Sequence, residues 1–388
     1  MFPGAAERVQ LDAGGISIVS TAARVAVEGF LSELACRPDE AHSDEKGIEA
    51  ARHAAAAMIG ARPDQVALIS STSAGLNIVA NVVELGRGDN LVTTDSEFVS
   101  VVAPFQQRCR EAGATLRIAH NDGAVVPAER ILELIDVHTR AVVISTVVWT
   151  TGYRHDVGTL ASECRRLGVP IIVDAIQQLG AIPFDVAECP VDVLICGGHK
   201  WLASPSGMGF LYASDAFTLG HAPRLPYAPT TLATKSAWKQ LWAQPDFSPF
   251  RDYPPPDGAL RFEIGHHHAN MAARGLAAAL GVFESVGSES VREHVMALGD
   301  LVARGLDALG VEVVTPLDER SRSGITTFRA GASAEDDIKM VGFLRERGIV
   351  TSVRYTAGLG GTRVCCHLYN NADDVNRLLS TVRAGIGR

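Results

Sequence analysis

The sequence predicts an α/β protein in which helices cover both faces of a mostly parallel sheet, followed by a smaller α+β unit. Short apolar runs alternate with helix-length segments between about residues 43 and 213, which is typical of strand–helix–strand crossovers. The runs IIVD (171–174) and VDVLIC (191–196) are almost wholly apolar, as strands buried on both faces are. Beyond residue 270, helices alternate with fewer strands, which indicates a second structural unit.

The first unit contains seven predicted strands, each a short apolar run near turn residues. They are Val66–Ser70, Leu91–Thr94, Thr115–Ala119, Ala141–Thr146, Ile171–Asp174, Val191–Cys196 and Gly209–Ala213. The segment 43–60 is Ala-rich, begins at a serine and ends at a glycine, which favours a helix. Helical spacing of apolar residues predicts further helices at Ala74–Leu85, Val101–Ala112 and Thr159–Leu167.

The stretch 221–258 separates the two units and carries eight of the 18 prolines together with several aromatic residues. Such composition predicts an ordered wall or lid of a site, or a subunit contact. The elements predicted after it are helices Ala272–Val286 and Glu289–Leu309, strands Val311–Thr315 and Gly324–Phe328, helix Ala334–Glu346, one more strand, and a final helix from Ala372. We therefore predict a large domain at 16–287 and a small domain at 288–388, with residues 1–15 packing near the small one.

Charge and composition exclude several function classes. The formal net charge is −9, and no run of Lys or Arg exceeds a pair, so a nucleic-acid partner is not expected. The N-terminal residues lack the basic and then apolar pattern of a secretory leader. No apolar stretch approaches the roughly 20 residues of a membrane span. The seven cysteines are odd in number and lack paired short spacings, which argues against a disulfide framework or a zinc site. A cytoplasmic protein without a membrane partner is expected.

A cluster of small polar residues lies between a predicted strand and a predicted helix, in the sequence STSAGLN at 71–77. Backbone N–H groups at a helix N-terminus bind anions, and the helix dipole favours negative charge there. Ser73 is a candidate N-cap and a candidate phosphate donor. Capping alone also explains the motif, because serine and threonine caps are common.

Two further motifs close neighbouring strands. Asp174 ends the run IIVD, where open α/β sheets bind ligands, and it can hold a pyridine nitrogen protonated; the alternative is a simple helix cap. Lys200 follows two glycines in CGGHKW (196–201). A desolvated lysine has a lowered pKa and becomes a Schiff-base nucleophile, although most lysines are only solvated surface charges.

Together these motifs resemble the class V aminotransferase group of fold-type I enzymes that use pyridoxal 5′-phosphate (PLP). The group includes cysteine desulfurases, selenocysteine lyases, kynureninases and isopenicillin N epimerase-like proteins. The resemblance covers nearly the whole chain, from LDAGG (11–15) through STSAGLN, DAIQQLG, GGHKW and RFEIG to RVCCHLYN (363–370). It implies the fold-type I architecture, PLP as cofactor, and a homodimer with sites at the subunit interface.

The resemblance also assigns roles to individual residues. Lys200 would form the internal aldimine and move the Cα proton, and Asp174 would pair with the pyridine nitrogen. Gln177 would hydrogen-bond the ring hydroxyl. Ser73 and the amide of Ala74 would hold the phosphate, with His199 nearby as a further catalytic and cofactor-binding residue. For the substrate carboxylate the candidates are Arg363, whose planar fork suits bidentate recognition, and Arg354; a surface ion pair is the alternative for Arg363.

Several positions depart from the desulfurase pattern. The segment TSVRYTAGLGGT (351–362) contains no cysteine where desulfurases carry a persulfide-forming one, so we do not expect sulfur relay through a persulfide. Phe98 replaces the histidine that stacks on the ring, although core packing also explains it, and Trp149 replaces an asparagine. Gly197 stands where many members have a phosphate-binding serine. His266 stands where relatives have the threonine that reaches the partner's phosphate.

The implied reaction starts with an amino-acid substrate that forms an external aldimine and loses its Cα proton to Lys200. From the departures above, we expect an epimerase- or lyase-type reaction. The alternatives are an aminotransferase and a PLP-binding sensor or scaffold without catalysis. No metal is predicted, because consecutive side chains of the three histidines 266–268 point in opposite directions on an extended strand.

Overall fold

The structure is a computed structural model that describes residues 1–43, 45–222, 243–246, 248, 250, 256–263 and 269–386. The strands are β1 (Val9–Gln10), β2 (Val66–Ile69), β3 (Asn90–Thr94), β4 (Thr115–Ala119), β5 (Thr139–Ser145), β6 (Ile171–Asp174), β7 (Val193–Gly197), β8 (Gly209–Ala213), β9 (Glu312–Val313), β10 (Ile325–Arg329), β11 (Ile349–Val350), β12 (Ser352–Thr356) and β13 (Leu359–Cys365). The helices are α1 (Thr21–Cys36), α2 (Pro38–Ser43), α3 (Lys46–Met58), α4 (Thr72–Val82), α5 (Val99–Ala112), α6 (Ala128–Leu132), α7 (Val157–Leu167), α8 (Asp215–Gly220), α9 (Asn270–Val286), α10 (Ser288–Ala308), α11 (Ala334–Glu346) and α12 (Ala372–Gly385). Most of the Pro-rich stretch 221–258, for which a wall, lid or subunit contact was predicted, lies outside the described residues.

The predicted mostly parallel sheet is confirmed. Within the described ranges its seven strands lie in the order β2-β8-β7-β6-β5-β3-β4. The strands from β7 to β4 are mutually parallel, and β8 runs antiparallel to both of its neighbours. Because the strands from β7 to β3 share one direction, their carboxyl ends meet at one edge of the sheet.

Both faces of this sheet are buried, and neighbouring residues of one strand serve opposite faces. On β7, Leu194 and Cys196 join the cluster that includes α3, α7 and α9. Ile195, between them, joins the cluster that includes α4 and α5. Each fully buried aliphatic side chain stabilises the fold by about 1.5–3 kcal/mol, so the middle of each central strand is apolar.

Local signals set several helix ends. Asp156 caps α7 by accepting a hydrogen bond from the Thr159 amide at 3.0 Å, and the helix ends at Gly168 in the left-handed conformation. Ser333 and Asp336 form a capping box at the start of α11. Helix α1 was not predicted; it buries only Ala23 and Phe30, and its apolar residues Val25, Leu31 and Leu34 are exposed. None of the helices in the described part of the chain has the length and apolar character needed to cross a bilayer.

The C-terminal part forms a smaller sheet, as predicted. Its strands lie in the antiparallel order β12-β13-β10-β9. Strand β1 pairs in parallel with β11 and brings the N-terminal residues to this unit. The domain boundaries 16–287 and 288–388 stay a prediction.

The stretch 349–365 differs from its prediction, which was a single strand. Strands β12 and β13 form a tight hairpin, and Ala357 and Gly358 at its turn have φ of 48° and 78°. Positive φ at both turn residues matches the twist of paired strands. A Cβ on Gly360 would lie 2.0 Å from the Arg354 carbonyl oxygen, and one on Gly361 would lie 2.2 Å from the Phe328 oxygen. In the sequence these glycines suggest a loop. In the structure they allow β13 to lie close to the strands on either side of it.

Candidate active site

Four polar side chains follow the carboxyl ends of neighbouring strands: Lys200 after β7, Asp174 at the end of β6, Ser145 at the end of β5, and Glu97 after β3. Ser145 and Asp174 are register partners in the parallel sheet. The turn after β7 is fixed by backbone hydrogen bonds of Gly198 with Met208 and Ser204. The sheet thus brings residues distant in sequence to one edge, where the sequence placed a ligand site.

The amine of Lys200 lies among groups of both charges. Its Nζ is 5.6 Å from the centroid of the Phe98 ring. Burial lowers the pKa of Lys200 to about 8, Asp174 opposes that shift, and Arg363 reinforces it. A lysine with this pKa has a substantial neutral fraction near pH 8, so it is a competent nucleophile and base.

Asp174 is buried and keeps hydrogen-bonding capacity for a ligand. Its Oδ1 accepts from the Ile176 amide at 2.9 Å. Burial raises the pKa of Asp174 to about 6, whereas the Ile176 amide and the charge of Lys200 lower it. A cationic ring nitrogen beside this carboxyl would stabilise its charged form.

Glu97 is a buried carboxyl that the sequence reasoning missed. It accepts hydrogen bonds from the Ser145 amide (2.9 Å), the Ser145 hydroxyl (2.5 Å) and the Thr94 hydroxyl (3.1 Å). Burial and, to a smaller extent, the charge of Asp174 raise the pKa of Glu97 to about 7. The available signal was its place three residues after the buried strand β3, at the carboxyl edge of the sheet.

At the N-terminus of α4 the structure corrects the predicted cap. Ser71, not Ser73, is the N-cap, because its hydroxyl accepts from the Ala74 amide at 3.1 Å. The Ala74 amide predicted to hold phosphate therefore already has a partner. Ser73 is exposed, and its hydroxyl donates to Ser100 at 2.8 Å. Thr72, which was not predicted, is buried, and its hydroxyl has no hydrogen-bond partner in the described part of the chain.

Gln177 is held from two sides. Its Oε1 accepts from the Trp201 indole at 2.8 Å, and its Nε2 donates to the Gly14 carbonyl at 3.0 Å. One hydrogen of the Nε2 group and one lone pair of Oε1 are left for the predicted bond to a ring hydroxyl. Gln177 therefore also has a structural role that the sequence did not indicate.

Phe98 borders the Lys200 amine, and Trp149 packs against Phe98. Phe98 and Trp149 meet edge to face, with ring centroids 5.1 Å apart and planes at 76°. The indole Nε1 of Trp149 is buried without a partner in the described residues. Stacking of Phe98 on the cofactor, and cofactor contact by Trp149, stay predictions that this position supports.

Arg363 lies on β13, is buried, and makes two polar contacts. It donates from Nη2 to Asp12 Oδ1 at 2.7 Å and from Nη1 to the Trp149 carbonyl at 2.8 Å. Its Nε has no partner among the described residues. The ion-pair alternative is thus partly right, but the pair is buried rather than on the surface. Asp12, within the LDAGG motif, had been given no role.

Arg354 lies on β12 and is partly buried, and its Nη1 donates to the Val353 carbonyl at 2.8 Å. Burial and the neighbouring Arg363 lower its pKa. His199 is half-buried, and burial lowers its pKa; its Cε1 would lie 3.5 Å from a Cβ on Gly197, near Thr72. His266 lies outside the described residues. In the described ranges no three His, Cys, Asp or Glu side chains are arranged to hold a metal ion.

Comparison with known proteins decides the family. The profile of the family "Aminotransferase class-V" matches residues 37–388. The chain belongs to the class V aminotransferase family. A cysteine desulfurase of Cronobacter sakazakii is 27% identical over 349 residues, which cover 86% of this chain and 81% of that protein. A probable cysteine desulfurase of Pyrococcus abyssi is 26% identical over 350 residues, 86% of this chain and 82% of that protein.

A solved structure of a C-DES variant with glycine covalently linked to its PLP cofactor has a TM-score of 0.88. It is 24% identical and covers 98% of both chains, so it shares the fold. The fold-type I architecture predicted from sequence is confirmed, and PLP is the cofactor of this class V enzyme.

The residues present fit PLP. Asp174 offers a buried carboxylate for a cationic ring nitrogen, and Lys200 offers the amine that would hold the cofactor covalently. The buried hydroxyl of Thr72, in the first turn of α4, has no partner among the described residues and is a donor that fits a phosphate at this helix end. The individual site roles still stand as predictions.

The predicted reaction type is wrong. One of the two relatives above is named a cysteine desulfurase and the other a probable cysteine desulfurase, which contradicts the expected epimerase-type reaction; the lyase half of the expectation fits in part. These two relatives favour the persulfide-forming type, which the absence of a cysteine at 351–362 had led us not to expect. The cysteine-free segment 351–362 excludes an acceptor thiol only from those positions, so by itself it does not exclude a desulfurase.

Proposed function

We propose that this class V enzyme cleaves the C–S bond of cysteine or a close cysteine derivative. The observation that carries the proposal is the position of the Lys200 amine near two charged groups. Asp174 raises the pKa of Lys200, and Arg363 lowers it. Those three groups suit proton removal from the Cα of an amino acid. The sulfur-containing substrate is inferred from the desulfurases among the relatives.

Each of the three groups has a separate task in this proposal. Bound PLP supplies an electron sink for the electron pair left at the substrate Cα. Lys200 takes the Cα proton, since its pKa of about 8 leaves much of the amine neutral near that pH. Asp174 keeps a negative charge beside the ring nitrogen. Because Nε of Arg363 is unpaired, that edge of the guanidinium can donate to the substrate carboxylate.

In the desulfurase reaction a thiolate attacks the substrate sulfur, and the electron pair of the C–S bond stays with carbon. A proton then completes alanine, while the acceptor thiol becomes a persulfide. Among the seven cysteines of the sequence, Cys365 and Cys366 are the ones in the β13 motif that contains Arg363. Both are buried, and burial raises the pKa of Cys365 to about 11. We propose that the acceptor is a thiol from outside this motif.

A second candidate is a C–S lyase that releases sulfide without an acceptor thiol. The observation that favours it is the tight β12–β13 hairpin, which carries no cysteine in residues 351–362. In this reaction sulfur leaves with the electron pair as hydrosulfide. Water then hydrolyses the unsaturated amino acid to pyruvate and ammonium.

Product analysis with L-cysteine tests both candidates. Protein reconstituted with PLP is incubated with and without dithiothreitol, and alanine, pyruvate, ammonium and sulfide are measured. Thiol-dependent alanine with an equal amount of sulfide identifies a desulfurase, and pyruvate with ammonium and sulfide identifies the lyase. Formation of neither alanine nor pyruvate from cysteine or cystine would overturn the proposal.

The matched lysine variants separate chemistry from folding. Lys200→Ala should abolish product formation and the borohydride-sensitive visible absorbance, because no amine remains to hold PLP covalently. Lys339→Ala replaces an exposed lysine of α11 and should change neither. Equal activity in the two variants would remove Lys200 from the mechanism.

We also propose that the chain works as a homodimer with the site at its interface, in the cytoplasm. The dimer follows from the resemblance to the family, and the exposed position of Ser73 in the first turn of α4 leaves room for a partner residue. Light scattering should give twice the molar mass of the chain. A fully active monomer would contradict the dimer and leave the C–S cleavage proposal intact.

A further inference from the structure

Four consecutive backbone carbonyls after β5, those of residues 149–152, accept hydrogen bonds from side chains of the C-terminal unit. The first acceptor is the Trp149 oxygen, to which Arg363 Nη1 donates at 2.8 Å. Three hydroxyls donate to the other carbonyls: Thr327 to Thr150 at 2.6 Å, Thr315 to Thr151 at 2.6 Å, and Ser323 to Gly152 at 2.8 Å. We call these four acceptors the carbonyl row.

The carbonyl row lies directly against β10. The Thr315 and Ser323 hydroxyls also accept hydrogen bonds, from the Thr327 amide at 2.8 Å and the Ile325 amide at 3.3 Å. A Cβ on Gly152, whose φ is 75°, would lie 2.5 Å from the Ile325 oxygen, so this approach requires glycine. The three hydroxyl-bearing residues are buried. Because water cannot easily replace a buried donor, each hydroxyl helps to set the position of its carbonyl.

Thr327 lies beside Arg363. The two residues are register partners in the antiparallel pair of β10 and β13, so their side chains project from the same face of the sheet. Their acceptors, the carbonyls of Trp149 and Thr150, are neighbours along the chain. Only the φ and ψ rotations of Thr150 separate these two carbonyls, because the peptide units themselves are planar. A change at the Thr150 carbonyl is therefore passed to the carbonyl that holds Arg363.

We propose that Thr327 is a positioning residue for the substrate carboxylate. Its hydroxyl fixes the peptide next to the Trp149 carbonyl, and that carbonyl holds Nη1 of Arg363. Asp12 holds Nη2 at 2.7 Å, and Nε has no partner among the described residues. Because the guanidinium is planar, fixing both Nη groups sets the direction of the free Nε–H.

The proposal rests on the proposed role of Arg363 as donor to an amino-acid carboxylate, and not on which bond of the substrate is cleaved. Without the Thr327 hydroxyl, the peptides on either side of Thr150 can rotate. Arg363 then keeps its charge and loses its fixed direction. Binding of a carboxylate should weaken, whereas binding of an amine that has no carboxylate should not.

Thr327→Val, which keeps the shape of the side chain and removes the hydroxyl, tests this difference. Protein loaded with PLP is titrated with L-alanine and with ethylamine, which is alanine without its carboxylate, and the visible absorbance is followed. The Kd for L-alanine should rise about threefold to tenfold, as expected when one hydrogen bond is lost. The Kd for ethylamine and the Kd of the apo protein for PLP should stay unchanged.

Two variants serve as controls for the hydroxyl and for its place. Thr327→Ser keeps the hydroxyl and should bind L-alanine as the wild type does. Ser323→Ala removes a buried hydroxyl from the other end of the carbonyl row, away from Arg363. It should lower the Tm, as Thr327→Val does, and leave the Kd for L-alanine unchanged.

A double variant tests whether Thr327 acts through Arg363. Arg363→Lys keeps the charge and loses the planar fork, so it should raise the Kd for L-alanine by itself. Adding Thr327→Val to Arg363→Lys should raise that Kd little further, because no fork is left to orient.

A wild-type Kd for L-alanine in Thr327→Val, while Arg363→Lys binds it more weakly, would overturn this inference alone. So would an equal rise for L-alanine and ethylamine, or an equal rise in Ser323→Ala, because the effect would then come from packing. An unchanged Kd in Arg363→Lys would instead contradict the carboxylate role of Arg363 in the proposed function, and this inference with it.

Discussion

Two buried arginines, each paired with a carboxylate, differ in how completely they are bonded. Arg52 donates to both oxygens of Glu263 at 2.7 and 3.2 Å and to the Val66 carbonyl at 2.9 Å. Arg363 donates to one oxygen of Asp12 and to the Trp149 carbonyl, and its Nε lacks a partner among the described residues. The Arg52–Glu263 pair holds parts of the structure together. The Arg363–Asp12 pair leaves a charged N–H donor available to a ligand beside Lys200.

The difference indicates what each pair is for. Glu263 also accepts from the Leu68 amide at 2.8 Å, so it joins α3, β2 and the segment after the 3-10 helix at residues 258–262. Asp12 accepts from Ser352 at 2.9 Å and so orients Arg363 without saturating it. A buried ion pair that is completely bonded fixes chain segments, and one that is incompletely bonded can accept a ligand.

The largest effect is expected for Glu263→Gln. Loss of this charge leaves the buried Arg52 guanidinium with only the exposed Glu49 as a charge partner, and breaking a buried pair in this way destabilises proteins by about 3–5 kcal/mol. Urea denaturation at pH 7 should show this loss. Glu49 is the matched control, because it also pairs with Arg52, at 3.5 Å, but is 54% exposed on its side chain.

Glu49→Gln should cost less than about 1 kcal/mol, as exposed pairs do. Similar losses for Glu49→Gln and Glu263→Gln would show that the bonding of Arg52 does not depend on burial, and the contrast between the two arginines would lose its basis.

Asp12→Asn removes the carboxylate charge from the Arg363–Asp12 pair. We expect it to weaken substrate binding more than the stability of the fold. Arg363 keeps the Trp149 carbonyl and the open site, so the loss of stability should be smaller than for Glu263→Gln. The KM for the amino acid should rise by about tenfold to a hundredfold, equivalent to about 1–3 kcal/mol. The Kd for PLP should change little, because neither Asp12 nor Arg363 is expected to contact the phosphate.

Steady-state kinetics and a PLP titration separate these outcomes. Ser352→Ala, which removes only the bond that orients Asp12, should raise KM by a smaller factor. An unchanged KM in Asp12→Asn, with a stability loss equal to that of Glu263→Gln, would mean that Arg363, like Arg52, serves only to stabilise the fold.

The sequence predicted those features that depend on neighbouring residues. The bounds of β4, β6 and β8 and the start of α12 agree with the structure because apolar runs and caps are local signals. The hairpin at 352–365 was missed because its glycines resemble a loop, and their role appears only when the strands pair. The ion-pair partners of the two arginines were missed because they are distant in sequence. Arg363 and Asp12 are 351 positions apart, and Arg52 and Glu263 are 211 apart.

Glu97 extends the comparison to a buried acid whose hydrogen bonds come from neutral groups. Its pKa is raised from 4.5 to about 7, so between those pH values the folded state holds a proton that the unfolded state has released. That contribution to stability is fully present below about pH 4.5 and is lost as the pH rises towards 7. Glu97→Gln cannot ionise, so its stability should fall less over this range.

At pH 8 we expect Glu97→Gln to gain on the order of 1–3 kcal/mol relative to the wild type, compared with their difference at pH 4.5. Urea denaturation of apo protein at several pH values measures this gain, and Glu188→Gln, at an exposed position, should show none. Parallel stability curves for Glu97→Gln and the wild type would mean that Glu97 stays ionised when folded. The hydrogen bonds from Ser145 and Thr94 would then compensate a buried negative charge as effectively as a guanidinium does.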